Sequence, residues 1–300
     1  MKGEMAGQAV LASETHEESS LLENTVKFTG HFARNYRLAF FGAIVVIVFA
    51  LTALLAPWIS PRDPNAISLA NTLEPPGAEF LLGTDNHGRD LLSRLIHGAR
   101  ISLVIAISSV VLGTITGVAL GITAGWFTPL QTPFMRLVDV LLAFPGIIIA
   151  LTVISILGTG LSNVVVAIAI AMIPDFGRLV NGLTLSVKEN TYIEAGVAIG
   201  SSNTRILLRY ILPNILAPIV VQVSLLIPGA IMTAAGLSFL GLGVTPPTAE
   251  WGAMLQDSLI WARMAPHMMI FPGLALMLVV FGFNVLGDGM RDLLDPRVRK

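Results

Sequence analysis

The sequence predicts an all-α integral membrane protein with six transmembrane helices, and three observations carry that prediction. Hydrophobic residues supply 54% of the 300-residue chain and charged residues only 12%. The charges are bunched, leaving uncharged runs at 38–61, 101–135, 140–174, 210–249 and 264–287, each long enough for the ~20 apolar residues that cross ~30 Å of hydrocarbon. Two of these runs divide internally: Gly158-Thr159-Gly160 offers a turn in one, and Pro129 and Pro133 offer a loop in the other.

In order along the chain, residues 1–33 set Glu4, Glu14, Glu17, Glu18 and Glu23 among Ser, Ala and Gly. With too few large apolar groups to pack, this segment reads as a disordered acidic tail ahead of a membrane domain over 34–300. The first apolar run begins only at Leu38, lacks an A-x-A exit and is long enough to remain as an anchor, unlike a cleaved signal. The expected spans are 38–59, 100–125, 134–157, 161–180, 212–236 and 267–287, helical because lipid cannot satisfy open backbone groups. An even number puts both termini on one side. Of the 18 Lys and Arg, five (Arg62, Arg89, Arg94, Arg100 and Arg263) fall on the opposite side and 13 on the side of the termini, so the termini and segment 188–209 are expected in the cytoplasm.

Between the first two spans lies a long outer loop containing G-T-D-N-H-G-R-D-L-L-S-R at 83–94. Its glycines have P-loop spacing, but Arg89 and Asp90 stand where Lys and Ser/Thr would hold phosphate and Mg²⁺, and no apolar strand precedes it. It reads instead as a turn feeding a surface helix, with Leu91, Leu92, Leu95 and Ile96 together and Arg89, Arg94 and Arg100 at headgroups. Glu250, Asp257 and Arg263, with Trp251 and Trp261, suggest another helix lying at the membrane surface. The zero cysteines exclude disulfides and thiolate metal sites, the five histidines are scattered, and no G-x-S-x-G elbow occurs. No catalytic, cofactor or metal site is expected in the chain, and no nucleic-acid partner; membrane lipid is its solvent.

Within the second span Gly113, Gly117, Gly121 and Gly125 recur every four residues, opening one helical face for the close approach of a neighbour or for sliding. Arg136 with Asp139, and Asp175 with Arg178, can close as local i,i+3 pairs at the cytoplasmic side. The middle thirds of the expected spans carry no charge, which argues against an ion-coupled carrier and places any energy input elsewhere.

Segment 188–209, K-E-N-T-Y-I-E-A-G-V-A-I-G-S-S-N-T-R-I-L-L-R, is the remaining candidate. Tyr192, Ile193, Ala195, Ile199, Ile206, Leu207 and Tyr210 can form an apolar stripe across two short helices bent at Gly200-Ser201-Ser202, with Leu212-Pro213 starting the next span. Such a stripe either lies on the protein's own loops or docks in a partner's groove.

Here the residues carry a resemblance. Glu194-Ala195-Gly196, Gly200 six after the Glu, and Leu212-Pro213 resemble the E-A-A-x3-G-x9-I-x-L-P loop of binding-protein-dependent ABC importer permeases, with Gly196 for the second Ala and Tyr210 for the Ile. With residues 83–94, G-L-S-F-L-G-L-G-V-T-P-P-T-A-E-W-G-A-M-L at 236–255 and F-N-V-L-G-D-G-M-R-D-L-L-D-P-R at 283–297, the chain is similar from about Arg34 onward to the second, C-type permease subunit of the dipeptide/oligopeptide/nickel family. The resemblance implies a type I importer permease fold in a bacterial or archaeal cytoplasmic membrane. It implies a second, B-type permease subunit, two ATPases that bind ATP and Mg²⁺, and a solute-binding protein outside. Closure of the ATPases would be transmitted through Glu194, Ala195, Gly196, Gly200, Leu212 and Pro213. Di- and oligopeptides or glutathione-like peptides are the leading cargo, with nickel complexes and opine-like compounds as alternatives. An ion-coupled carrier or a membrane scaffold are the rivals from other classes.

Overall fold

The computed structural model describes residues 36–294, so the acidic tail expected over 1–33 lies outside the described residues. These are helical apart from loops and an isolated bridge between Thr84 and Asp90. Helix α1 (Arg37–Ile59) is apolar on every side, and Leu38, Phe41, Ile47, Leu54 and Trp58 face outward, as lipid solvent permits. Helix α2 (Leu91–Trp126) is followed after a single residue by α3 (Thr128–Leu142), then α4 (Gly146–Leu157) and α5 (Leu161–Lys188). Short helices α6 (Thr191–Ala198) and α7 (Asn203–Ile206) lead into α8 (Leu212–Phe239), and α9 (Trp251–Ser258) precedes α10 (His267–Leu294).

Five of the described helices are long and apolar enough to cross a membrane, α7 and α8 counting as one run from Asn203, and α3 with α4 makes a sixth crossing only as a bent pair. The single helix expected over 134–157 is therefore corrected: its two halves meet at 95°. The cause is Pro145, which takes extended ψ (134°) and disfavours helical backbone at Phe144 before it. Pro129 and Pro133, expected in a loop, stand within α3; Pro129 is in the first turn, where no helical N–H is missed.

Direction settles what the bent pair does. The Cβ positions of Gly113, Gly117, Gly121 and Gly125 fall 2.5 to 3.0 Å from atoms of α5 that advance in step, from Ala169 through Phe176 and Val180 to Thr184. Helices α2 and α5 are thus parallel, and α3 with α4 must carry the chain back across the membrane between them. Gly42 of α1 meets Gly282 of α10 equally closely, in an antiparallel pairing, with the Gly42 Cβ position 2.7 Å from the Gly282 carbonyl oxygen.

Four further expectations change at the helix ends. Helices α5 and α10 run on past 180 and 287 as continuous helix, and α2 starts at Leu91, not near 100. Asp90 caps it, its carboxylate accepting from the Ser93 amide at 2.8 Å, so the expected surface helix is the first turns of α2 itself. Arg89 and Arg94, expected at headgroups, are buried because Asp85 lies between them: its Oδ2 is 2.6 Å from Arg89 Nε and 3.4 Å from Arg94 Nε. Arg94 also donates to the carbonyls of Pro64 (3.1 Å) and Pro247 (3.3 Å), joining the two loops that carry them.

Helix α9 is likewise no surface helix. Trp251 is fully buried beside Gly98, donates through its indole to Leu95 O at 3.0 Å and meets Phe49 edge-on. Glu250, also fully buried, caps α9 by accepting from the amides of Gly252 and Ala253, each at 2.9 Å, and from the Ser102 hydroxyl. At the other membrane face the expected local pairs give way to one across helices, between Arg178 of α5 and Asp139 of α3.

Replacing Gly117 by Leu should force α2 from α5, since its Cβ position is 2.5 Å from Phe176 Cβ. The expected cost is about 1–3 kcal/mol, seen as a lower thermal midpoint of the solubilised chain. Gly146→Ala, whose new Cβ would meet Ala171 at an ordinary 4.0 Å, should leave that midpoint unchanged.

Candidate coupling site

The chain between α5 and α8 forms a small unit at one end of the bundle. Asn190 opens α6, its carbonyl accepting from the Ile193 amide at 2.9 Å. Ile193 and Gly196 turn inward, and Ile193 joins Ile206, Ile211 and Ile215 in an apolar cluster that reaches Ile122 of α2 and Val180 of α5. The helix ends in a Schellman motif: the Ser201 amide reaches back to Gly196 O at 3.1 Å and the Gly200 amide to Val197 O at 2.9 Å. Gly200 holds φ at +78°, a backbone conformation that a Cβ would strain. Ser202 then caps α7, accepting from the Arg205 amide at 3.4 Å.

The stripe expected from Tyr192 to Tyr210 is split. Neighbouring residues on a helix lie ~100° apart, so Tyr192 and Ile193 cannot share a face. Ile193 and Ile206 are buried, while Tyr192, Val197 and Ile199 stand outside with Glu194 and Ala195, Ile199 at 80% exposure. The structure thus gathers Glu194, Ala195, Gly196 and Gly200 on or beside one helix. Leu212 and Pro213 sit apart from them at the start of α8, half-buried and exposed respectively. They follow a π-turn, Leu207–Ile211, that closes with the Leu212 amide on Leu207 O. Helix and π-turn run directly into α8, where the sequence suggested a break at Leu212-Pro213.

Three residues that the pattern reading did not single out hold this unit in place. Lys188, the last residue of α5, donates from Nζ to Trp126 O at 3.0 Å and lies 5.3 Å from the centre of the Trp126 ring. Trp126, the last residue of α2, donates from its indole to Asn203 Oδ1 at 3.1 Å. Both ends of the α6 unit are therefore tied to one tryptophan, and a cation at the C-termini of two parallel helices also suits their dipoles. The available signal was a lone Trp directly after the last glycine of the four-residue repeat.

Among the described residues no group of His, Cys, Asp and Glu could hold a metal ion. What the unit offers is a protruding helix with an apolar outer side and one carboxylate, anchored to α2 and α5. Trp126→Phe keeps a ring face for Lys188 but loses the bond to Asn203. Hydrogen-exchange mass spectrometry should show faster exchange across 191–206 with total helix content unchanged. Gly196→Ala should leave exchange as it is, because its Cβ position meets nothing within 4 Å.

Comparison with known proteins agrees with this architecture. Residues 117–300 match the family described as binding-protein-dependent transport system inner membrane component, and residues 31–76 match the N-terminal transmembrane domain of oligopeptide transport permease C. A glutathione transport system permease protein of Escherichia coli is 45% identical over 271 residues, covering 89% of this chain and 88% of that one. A dipeptide transport system permease protein of Alkalihalophilus pseudofirmus is 43% identical over 264 residues, 88% of this chain and 87% of its own. Among solved structures, inward-facing conformations of the MetNI methionine ABC transporter share the fold at a TM-score of 0.55 and 19% identity, covering 67% of this chain and 96% of that one. The chain belongs to the family of binding-protein-dependent ABC transport permeases, multi-span components of the bacterial inner membrane.

Proposed function

We propose that this permease forms half of the translocation pathway of an importer for di- and oligopeptides or glutathione-like peptides. Family membership makes the chain a membrane component that is not itself catalytic; the finer assignments are cargo, partners and orientation. A second permease subunit supplies the other half of the pathway. Two ATPase subunits bind ATP and Mg²⁺ and dock against α6, and a solute-binding protein delivers cargo from the far side. The termini and α6 then face the cytoplasm.

The observation that carries this reading is α6 itself: a short helix held out from the membrane region, with Tyr192, Val197 and Ile199 outward and its base fastened to α2 and α5 through Trp126. An apolar helix surface of that kind suits a groove on a partner. A push on it reaches α2 and α5 through the Lys188, Trp126 and Asn203 contacts, which flank α6 on both sides. Peptide cargo is supported by relatives named for dipeptide and glutathione transport at 43–45% identity over nearly the whole chain.

Reconstitution with the second permease, ATPases and binding protein should give ATP-dependent uptake of labelled dipeptide or glutathione. Uptake of neither by a complex that hydrolyses ATP on adding its binding protein would overturn the cargo assignment. Glu194→Lys and Gly200→Trp should leave the chain inserted but weaken ATPase docking and lower uptake at least tenfold. Normal uptake by both variants would overturn the coupling role.

A further inference from the structure

At the outer end of α2 two arginines are buried side by side, Arg89 at 5% and Arg94 at 3% exposure. One buried carboxylate, Asp85, serves both through Oδ2, while its Oδ1 accepts the amides of His87 and Arg89. The neighbouring Asp90 is committed to capping α2. The next acid, Asp257 of α9, stays 3.9 Å from Arg89 Nη2, within ion-pair range but beyond a hydrogen bond. Burial pushes the Asp257 carboxyl up, against the opposing pull of Arg89 and Arg94. Two buried guanidinium groups thus share one closely bonded carboxylate, with the second acid, Asp257, held off at the edge, in a site where water screens poorly.

Beside them lies a cavity of ≈ 90 Å³ walled by Arg89, Arg94, Thr159, Ser238, Gln256 and Asp257. Ser238, 2% exposed, contributes a hydroxyl with no hydrogen-bond partner among the described residues. The wall therefore combines cationic donors, a free hydroxyl donor and an amide, with room for a small planar group. Guanidinium groups are suited by geometry to carboxylates.

We propose that this cavity is a carboxylate-binding site, with Arg89 and Arg94 supplying the charge, Ser238 and Gln256 the neutral hydrogen bonds, and Asp257 acting as a competing anion at its edge. Only the face on which it opens rests on the importer reading: there it is the outer face, where a carboxylate arrives on a peptide solute or on an acidic side chain of a docked protein. The chemistry of recognition is the same for both.

The test uses the full chain in nanodiscs with whatever subunits co-purify, and saturation-transfer NMR with acetate as the probe at constant ionic strength. Acetate should bind the wild type, and Asp257→Asn should tighten binding about tenfold by removing a like charge. Thr159→Trp, at an exposed position outside the ion pairs, should close the cavity and abolish binding. It carries the steric arm because Arg89→Gln disturbs the pairs that hold the loop together. No binding by wild type and Asp257→Asn, or equal binding by all three proteins, overturns the site. Displacement of acetate by alanyl-alanine but not by its C-terminal amide supports the site and assigns the carboxylate to a peptide solute. Retention of acetate against both supports it with a docked protein's side chain as the source. The measurement needs neither ATP nor transport, so it can succeed where peptide uptake fails, and the reverse.

Discussion

The close approach of α2 and α5 is the constraint on which the rest of the structure depends. Lipid gives helices no hydrophobic reason to associate, so their affinity comes from packing at short range, which four glycines on one face allow. The facing residues repeat at the same four-residue interval but differ in size, from Met172 and Phe176 to Val180 and Thr184. A slip of one repeat would set each glycine against the wrong partner, so the seam has a single good register. In that register the two helices run parallel, so α3 and α4 return between them, and α2 and α5 end close together. Trp126 and Lys188 can meet only because of this.

The two ends of the bundle are organised by different physics. At the α6 end the contacts are apolar isoleucines plus a few hydrogen bonds, which seat a short helix against the ends of α2 and α5. At the opposite end charges are taken out of water and paired: Asp85 with two arginines, and Glu250 with two amides and a hydroxyl. Such groups contribute little net stability, but each is costly to leave unpaired. They therefore determine how the loops around Pro64 and Pro247 sit on the start of α2.

The positions of the spans were legible because hydrocarbon thickness demands long uncharged runs, and the short helices between α5 and α8 were legible from a polar helix-forming stretch with a bend at Gly200. Helix breaks were less so. Pro129, Pro133 and Pro145 look alike in sequence, yet Pro129 and Pro133 are carried within α3 while Pro145 stands ahead of α4 in extended conformation, at the 95° bend, where it disfavours helical backbone at Phe144. The burial of Arg94 was hidden because the carbonyls it needs belong to Pro64 and Pro247, one of them 153 residues away. The bridge from Trp126 to Lys188 and Asn203 was hidden for the same reason: it joins three helix ends through single contacts with no periodic trace.

The π-turn before α8 bears on insertions and deletions. Ile206, Ile211, Ile215 and Ile219 are all buried, at intervals of five, four and four. In an unbroken α-helix the first interval would carry Ile206 roughly 140° away from the others; the wider turn absorbs the extra residue and returns it to their line. The turn thus sets the phase of everything upstream of it, α6 included, relative to α8. Losing one residue within 207–211 would restore ordinary helix and keep the isoleucines aligned, whereas adding one would swing Glu194 and its neighbours to another bearing about the axis. This segment therefore tolerates a deletion better than an insertion.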